Sequence, residues 1–135
     1  MNALLIPPEL SLVQDALNVG PEDQSLWFYH QFLILNLTER SEGRTIVPAL
    51  TTAERASYLA RDMDFIRDLL EDYDDIKWIY EALLECTLAK PRVERRDMSD
   101  AERTELSELL EKLRKLDPMR NGRWKDIGDT YILRS

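Results

Sequence analysis

The chain has 135 residues, of which 44% are hydrophobic and 33% are charged, and this composition is typical of one soluble domain with a substantial core. Its formal net charge of -8 opposes attraction to nucleic-acid phosphates and to anionic lipid, so we expect no nucleic-acid partner. The single cysteine, Cys86, cannot form an intramolecular disulfide, and no secretion signal opens the chain, so a cytoplasmic location is expected.

Helical periodicity runs along most of the chain. Glycine and proline lie outside the apolar runs, and apolar residues recur at three- and four-residue steps, which predicts an all-helical fold. The first helix is predicted over residues 8–19, ended by a Gly-Pro pair. The second is predicted over 21–37, with Glu22 and Asp23 in its first turn, where the helix dipole favours negative charge.

One stretch, residues 26–37, contains nine apolar residues among twelve. Three polar residues interrupt it, and a bilayer span needs roughly 20 apolar residues, so no membrane insertion is expected. In a stack of helical hairpins, the second helix of each pair is buried against both neighbours and is apolar on nearly every side. We therefore interpret this stretch as an inner helix of such a stack.

A loop is predicted between the second and third helices, over residues 36–50, because the periodicity stops there and Gly43 and Pro48 occur. Thr51 and Glu54 then have the spacing of a capping box, which begins the third helix. The apolar face predicted for that helix consists of Leu59, Met63, Ile66, Leu70 and Tyr73.

Three more helices are predicted in the second half of the chain. The fourth covers residues 75–89 and is ended by Pro91, with a loop up to Met98. A second capping box, Ser99 with Glu102, begins the fifth, and the sixth covers 118–133. The apolar faces predicted for the fourth and fifth helices are Ile76, Ile79, Tyr80 and Leu83, and Leu106, Leu109, Leu110, Leu113 and Leu116.

Three segments repeat one another: DQSLWFYHQFL at 23–33, DDIKWIYEALL at 74–84 and, more weakly, DPMRNGRWKDI at 117–127. The first two share an acidic residue four positions before the tryptophan and a tyrosine two positions after it. The repeats predict a single domain, 1–135, of three stacked hairpin units at approximately 8–38, 51–90 and 99–133. The predicted repeat core consists of Trp27, Tyr29, Trp78, Tyr80 and Trp124.

These segments resemble the C-terminal repeats of protein prenyltransferase α subunits, and most of all the Rab geranylgeranyltransferase (type II) α subunit in its fungal form. The resemblance covers most of the chain and implies a right-handed α-α superhelix that is the C-terminal part of a longer α subunit. It implies a prenyltransferase β subunit as partner, which holds the zinc ion, so no cofactor is expected in this chain. Rab escort protein and a Rab GTPase are further partners that it implies.

The sequence departs from the family repeat, Asn-Tyr-x-x-Trp-x-x-Arg. Asp23 and Gln24 replace Asn-Tyr in the first segment, and His30 replaces the arginine; Asp74, Asp75 and Glu81 stand at these positions in the second. In the family, the α-subunit residues near the diphosphate belong to earlier repeats, which this chain does not contain. The resemblance therefore assigns no catalytic residue to it.

The remaining chemical candidates have simple structural interpretations. No base or nucleophile is patterned around His30, so we interpret it as a structural residue that bonds within the helix stack. Cys86 and one histidine are too few ligands for zinc, and Cys86 is interpreted as a small buried apolar residue. The acidic run at 71–75 lacks the glycine and the distal glutamate of a calcium loop and is interpreted as a turn.

A set of basic residues is the best candidate for polar contacts with a partner: Lys90, Arg92, Arg95, Arg96, Arg120 and Arg123. The alternative is a solvated loop, because Glu94 and Asp97 dilute the charge. Two functions remain open. One is a non-catalytic scaffold portion of a Rab geranylgeranyltransferase α subunit, and the other is a free-standing helical-repeat adaptor. An uncapped stack also predicts self-association of the isolated chain.

Overall fold

A computed structural model describes residues 5–38 and 50–132 of the chain. This part of the chain is all-helical, as predicted, and contains no strand. Its elements are α1 (Ile6–Val19), α2 (Gln24–Thr38), α3 (Thr52–Asp72), α4 (Lys77–Glu94), α5 (Asp100–Leu116), a 3-10 turn (Pro118–Arg120) and α6 (Asn121–Tyr131).

Short-range side-chain chemistry begins the helices. Both predicted capping boxes are confirmed: in the first, the Glu54 amide donates to Thr51 Oγ1 (3.1 Å) and the Thr51 amide donates to Glu54 Oε1 (3.0 Å). Asp23 precedes α2 instead of lying in its first turn. Its Oδ1 accepts from the amides of Ser25 (2.9 Å) and Leu26 (3.3 Å), two donors that a helix start leaves without an intrahelical partner.

Several predicted helix ends were wrong by a few residues. Helix α1 begins at Ile6, earlier than predicted, and α2 continues through Thr38. The rest of the predicted loop, 39–49, lies outside the described residues. The predicted sixth helix is divided into the 3-10 turn and α6, and the residues beyond 132 lie outside the described part of the chain.

The largest error concerns α4, which does not end before Pro91. Proline inside a helix costs about 3 kcal/mol, but the buried face of α4 continues past it through Val93, and packing offsets that cost. The helix ends where Arg95 adopts a left-handed conformation, φ 54° and ψ 50°. The Arg96 amide then donates to the Pro91 carbonyl (3.0 Å), which closes the end in a Schellman motif.

The helices pair and stack along the chain. Helix α1 packs on α2, α3 on α4 and α5 on α6, while α2 also packs on α3 and α4, and α4 on α5. This is the arrangement of a helical-repeat superhelix, and one continuous hydrophobic core joins the helices. Helix α4 is the inner helix, with ten buried residues. The prediction for residues 26–37 is wrong for one face of α2, where Phe28, Phe32 and Leu35 are exposed.

Candidate functional site: the groove between helices α2 and α4

A groove of about 380 Å³ lies between α2 and α4, and Arg120 of the 3-10 turn is part of its lining. We call it the α2–α4 groove. Its lining combines apolar and polar side chains. The apolar ones are Trp27, Phe28, Ile34, Leu35, Trp78, Ala82 and Ala89, and the polar ones include Gln24, Gln31, Thr38, Lys77, Glu81, Glu85, Arg92 and Arg120. A concave surface that combines the two is the usual form of a binding site in proteins.

Trp78 is part of this groove and only partly of the core. It is half-buried, its ring meets Phe28 edge to face with centroids 6.0 Å apart, and Lys77 Nζ lies 4.8 Å from its centroid. The prediction that Trp78 is a core residue equivalent to the other two tryptophans is therefore wrong. It lies on the side of α4 that faces the groove, where no further helix among the described residues covers it.

The other two tryptophans are buried, and each indole makes the same kind of hydrogen bond to a backbone carbonyl. Trp27 Nε1 donates to the Pro21 carbonyl (2.6 Å), and Trp124 Nε1 donates to the Asp117 carbonyl (3.1 Å). In both cases the acceptor lies in the turn that precedes the helix. Each indole thus fixes the entry of its helix while its ring fills the core.

The two repeat tyrosines differ as well. Tyr80 is buried, and its hydroxyl donates to the Asp74 carbonyl in the preceding turn (2.8 Å). Tyr29 is exposed, and its hydroxyl donates to Glu9 Oε2 on α1 (3.0 Å), so its predicted core position is wrong. Two residues of α-helix correspond to about 200° of rotation, so Tyr29 points away from the side on which Trp27 is buried. In α4 the tyrosine at the same position, Tyr80, is covered by neighbouring residues and is buried.

Ion pairs neutralise the Lys77 end of the groove. The Arg120 guanidinium donates to both Glu81 carboxylate oxygens, Nη1 to Oε1 at 3.0 Å and Nη2 to Oε2 at 2.5 Å, and its Nε donates to Asp117 Oδ2 at 2.5 Å. Lys77 Nζ lies 3.6 Å from Asp117 Oδ1. The Arg120 guanidinium also stacks on the Trp124 ring, 4.9 Å from its centroid, which links α6 to α4.

Glu85 lies in the middle of the groove wall and pairs with Arg123. Burial raises the pKa of Glu85, while the charge of Arg123 opposes that rise. The pair joins α6 to α4, as Arg120 joins the 3-10 turn to α4, and a further ligand could use either charge only by breaking the pair.

Arg92 lines the groove farther along α4. Its Nε donates to the Leu88 carbonyl one turn earlier (3.1 Å). Its charge also acts on the Glu85 carboxylate, where it adds to the effect of Arg123 in opposing the rise in pKa that burial causes.

A buried polar cluster lies under the groove and centres on Asp62 of α3. Asp62 Oδ2 is 2.8 Å from His30 Nε2, Asp62 Oδ1 accepts from Gln14 Nε2 (2.9 Å), and the Cys86 thiol donates to Oδ2 (3.6 Å). The prediction that His30 bonds within the helix stack is confirmed. Asp62 was missed, although its position three residues after Leu59 and four before Ile66 places it on the predicted apolar face.

This cluster does not have the geometry of a nucleophilic site. The thiol and the imidazole each contact Asp62, and among the described residues no hydrogen bond joins the imidazole to the sulfur, as a cysteine–histidine nucleophile would require. Burial raises the pKa of the Cys86 thiol well above its usual value, which suppresses the reactive thiolate. Among the described residues, no group of three or more His, Cys, Asp or Glu side chains is placed to hold a metal ion. None of the helices described is long and apolar enough to cross a membrane.

Two curated proteins match this chain along most of its length. The geranylgeranyl transferase type-2 subunit alpha of Schizosaccharomyces pombe is 26% identical over 125 residues, which cover 93% of this chain and 36% of that protein. Its counterpart in Dictyostelium discoideum is 28% identical over 120 residues, 88% of this chain and 32% of that protein. This chain is similar to type-2 geranylgeranyl transferase α subunits.

The chain spans about a third of the length of these type-2 α subunits. No protein-family model matches it, and no solved structure matches it. At the two positions where the repeat pattern has arginine, the structure shows that His30 bonds Asp62 and that Glu81 binds Arg120. Both side chains are therefore bonded within this chain.

The structure divides the six predicted basic residues of this α-subunit-like chain between two places. Arg92 and Arg120 line the α2–α4 groove, and Arg123 pairs with Glu85 in its wall. The others lie outside the groove: Lys90 donates to Glu94 (2.6 Å), Arg95 forms the left-handed end of α4, and Arg96 binds Glu102 with both terminal nitrogens. The solvated loop considered for residues 90–96 is helical up to Glu94.

Proposed function

We propose that this chain is a non-catalytic scaffold portion of a Rab geranylgeranyltransferase α subunit. It holds the β subunit in place and so supports transfer of geranylgeranyl from geranylgeranyl diphosphate to C-terminal cysteines of Rab proteins. The observation that carries the proposal is the similarity to two type-2 α subunits over about nine-tenths of the chain. On this proposal, the zinc ion belongs to the β subunit. Rab escort protein and the Rab GTPase are the further partners. The enzyme works in the cytoplasm.

The chemistry of the described residues supports a scaffold in preference to a catalytic part. The one thiol is buried and held in its protonated form, and the one histidine is buried against Asp62. The polar groups of the groove are chiefly ion pairs that join α4 to the last turn and α6. Such pairs fix the shape of a surface and leave no group free to act on a substrate.

Co-expression with the β subunit of the Schizosaccharomyces pombe type-2 enzyme tests this proposal. We expect the two chains to co-purify on size exclusion as a complex with one copy of each. The complex is then given geranylgeranyl diphosphate, a Rab protein and escort protein, and we expect little transfer, because the chain spans about a third of an α subunit. The matched control is Leu83→Asp, which places a charge in the core and should abolish co-purification.

A chain that is helical by circular dichroism but fails to bind the β subunit would contradict the proposal. A helical-repeat adaptor would then become the better interpretation. A specific observation favours that second function: the α2–α4 groove exposes Phe28 beside Trp78, and charged side chains lie along the same groove. Peptide-binding grooves of helical repeats have this combination of apolar and charged groups.

A further inference from the structure

Exposed apolar side chains are concentrated at one end of the stack. Of the eight large hydrophobic side chains that are exposed among the described residues, seven belong to the first hairpin, residues 5–38. At the other end of the stack, the outward side of α5 carries charged side chains: Glu108, Glu111, Lys112 and Lys115. A polar outer side keeps the terminal repeat of a stack soluble. The first hairpin lacks such a side, which marks it as a contact surface.

Helix α1, with the residue before it, carries two rows of residues at alternating four- and three-residue steps. The first row is buried in the core: Ile6, Leu10, Val13 and Leu17. The second row begins one residue earlier and is exposed or half-buried: Leu5, Glu9, Leu12, Ala16 and Val19. A row with this spacing is the surface that one helix presents to another helix packed along it. The second row therefore has the form of a further helix contact.

Two aromatic side chains of α2 extend this surface. The Tyr29 hydroxyl donates to Glu9 Oε2 in the second row (3.0 Å), and the Tyr29 ring stacks on Phe32 with centroids 6.0 Å apart. Both rings are exposed. The Glu9 carboxylate is thus already bonded within the hairpin. We call the surface formed by five exposed side chains the first-hairpin face: Leu5, Leu12, Val19, Tyr29 and Phe32.

The area of the first-hairpin face suits a weak dimer. Its five side chains are between 37% and 89% exposed. At about 200 Å² for a whole large side chain, they offer roughly 500 Å² in each copy. Two such faces together bury roughly 1,000 Å², near the lower limit of a specific interface. We therefore expect a dissociation constant on the order of 10 to 100 μM.

The second row is complementary to itself in the antiparallel orientation. Each leucine of one copy then lies beside Ala16 or Glu9 of the other copy, so large side chains meet smaller ones. The parallel orientation would instead place the two Glu9 carboxylates side by side. No Lys or Arg occurs among residues 5–38, so opposite charges do not draw the two faces together. The net charge of -8 on each copy opposes pairing, and salt screens this repulsion.

We propose that two copies of this chain associate through their first-hairpin faces, with the two α1 helices antiparallel. Each copy contributes the same side chains, as in a two-fold symmetric dimer. The inference is independent of the proposed function, because none of the five side chains lines the α2–α4 groove. Size exclusion dilutes the protein below the expected dissociation constant, so the complex with the β subunit still contains one copy of each chain.

Sedimentation equilibrium of the full chain, from about 5 to 500 μM, brackets the expected dissociation constant and measures the association. The face variant is Leu12→Ser with Phe32→Ser. Its matched control is Phe28→Ser with Leu35→Ser, which removes the same two residue types from exposed positions in the groove. All four positions are exposed, so both variants should fold, which circular dichroism checks.

We expect the control to dimerise within about threefold of wild type and the face variant at least about 30-fold more weakly. Raising the salt concentration from about 0.05 to 0.5 M should tighten the wild-type dimer several-fold. A wild-type chain that stays monomeric at the highest concentration would overturn the inference, as would a dimer that the face variant leaves intact. A dimer that salt weakens would overturn it too, because opposite charges would then hold the copies together.

Cross-linking tests the orientation. In the antiparallel pair, the two copies of residue 5 lie roughly 15 Å or more apart along the helix axis, too far for a disulfide. Leu5→Cys should therefore give no disulfide-linked dimer under mild oxidation, and Cys86 does not interfere because it is buried. Rapid disulfide formation between two Leu5→Cys copies would refute the antiparallel arrangement.

Discussion

His30 Nε2 and Asp62 Oδ2 lie 2.8 Å apart in the interior, where both side chains are buried. The same carboxylate accepts from Gln14 and lies within reach of the Cys86 thiol, so α1, α2 and α4 all contact α3 through one side chain. A buried carboxylate is costly unless its oxygens are bonded, and here both of them are. Asp62 therefore specifies how the first two hairpins stack.

Loss of Asp62 should destabilise the protein strongly. Asp62→Ala leaves His30 and Gln14 without their buried partner, and we expect the free energy of unfolding to fall by about 3 to 5 kcal/mol. Asp68→Ala, at an exposed position of the same helix, should change it by less than about 0.5 kcal/mol. Urea titration followed by circular dichroism measures both. Equal effects of the two substitutions would show that the Asp62 cluster does not hold the stack together.

Trp124 and Trp78 should differ in their contribution to stability. Trp124→Ala empties a fully buried position and removes the hydrogen bond to the Asp117 carbonyl, with an expected cost of about 3 to 5 kcal/mol. Trp78→Ala, in the open groove, should cost only about 1 to 2 kcal/mol. The same titration compares them. A larger cost at Trp78 than at Trp124 would contradict the placement of Trp78 in the groove.

The end of α4 offers a stabilising substitution. Arg95 has φ 54°, a conformation that costs a residue with a Cβ about 1 kcal/mol and costs glycine almost nothing. Arg95→Gly should therefore raise the free energy of unfolding by about 1 kcal/mol. Arg95→Ala is the matched control, because it removes the same side chain but retains the Cβ, and it should give no such gain. If Arg95→Ala raised the free energy of unfolding by the same amount, the cause would be loss of the Arg95 charge and not relief of its left-handed conformation.

Acid should weaken the start of α5. Hydrogen bonds from Arg96, aided by those from Ser99, lower the pKa of Glu102 from 4.5 to about 2. Because the folded pKa lies below the unfolded one, the stabilisation by Glu102 is complete above about pH 4.5 and is lost as the pH falls toward 2. Arg96→Ala should cost about 0.5 to 1 kcal/mol at neutral pH and should flatten the fall in stability between pH 4.5 and 2.

Arg103→Ala controls for the loss of any arginine near this helix start. Arg103 pairs with the fully exposed Asp100 and does not contact Glu102. Its acid profile, measured by urea titration at each pH, should follow that of the wild type. An Arg96→Ala profile that also follows the wild type would refute the assignment of the acid sensitivity to Glu102.

The Cys86 thiol should react only when the structure opens. It is buried, and burial raises its pKa well above the usual value, so a thiol reagent should modify it far more slowly than a free cysteine at the same pH. Added urea should raise the rate in step with the unfolded fraction, and Asp62→Ala should raise it without urea. A fast reaction of the native protein, at the rate of an exposed thiol, would contradict the buried position.

The sequence alone determined the local structure. The helical class follows from apolar spacing, and the starts of α3 and α5 follow from two capping boxes, in each of which the two residues are three positions apart. These are short-range interactions, so a few neighbouring letters contain all the atoms involved. The repeated tryptophan segments and the similarity to type-2 α subunits are likewise properties of the chain order.

Only the tertiary structure decided what depends on packing between distant helices. Pro91 predicts a helix end from local chemistry, but burial of Val93 in the core keeps α4 helical to Glu94. Trp27 and Trp78 have the same local pattern, yet the first is buried and the second is only half-buried. Arg92 and Arg96 look alike in the sequence, but the fold bonds Arg96 to the Glu102 carboxylate and Arg92 to the Leu88 carbonyl. Burial and charge pairing depend on residues far apart in the chain, and their positions are set when the helices stack.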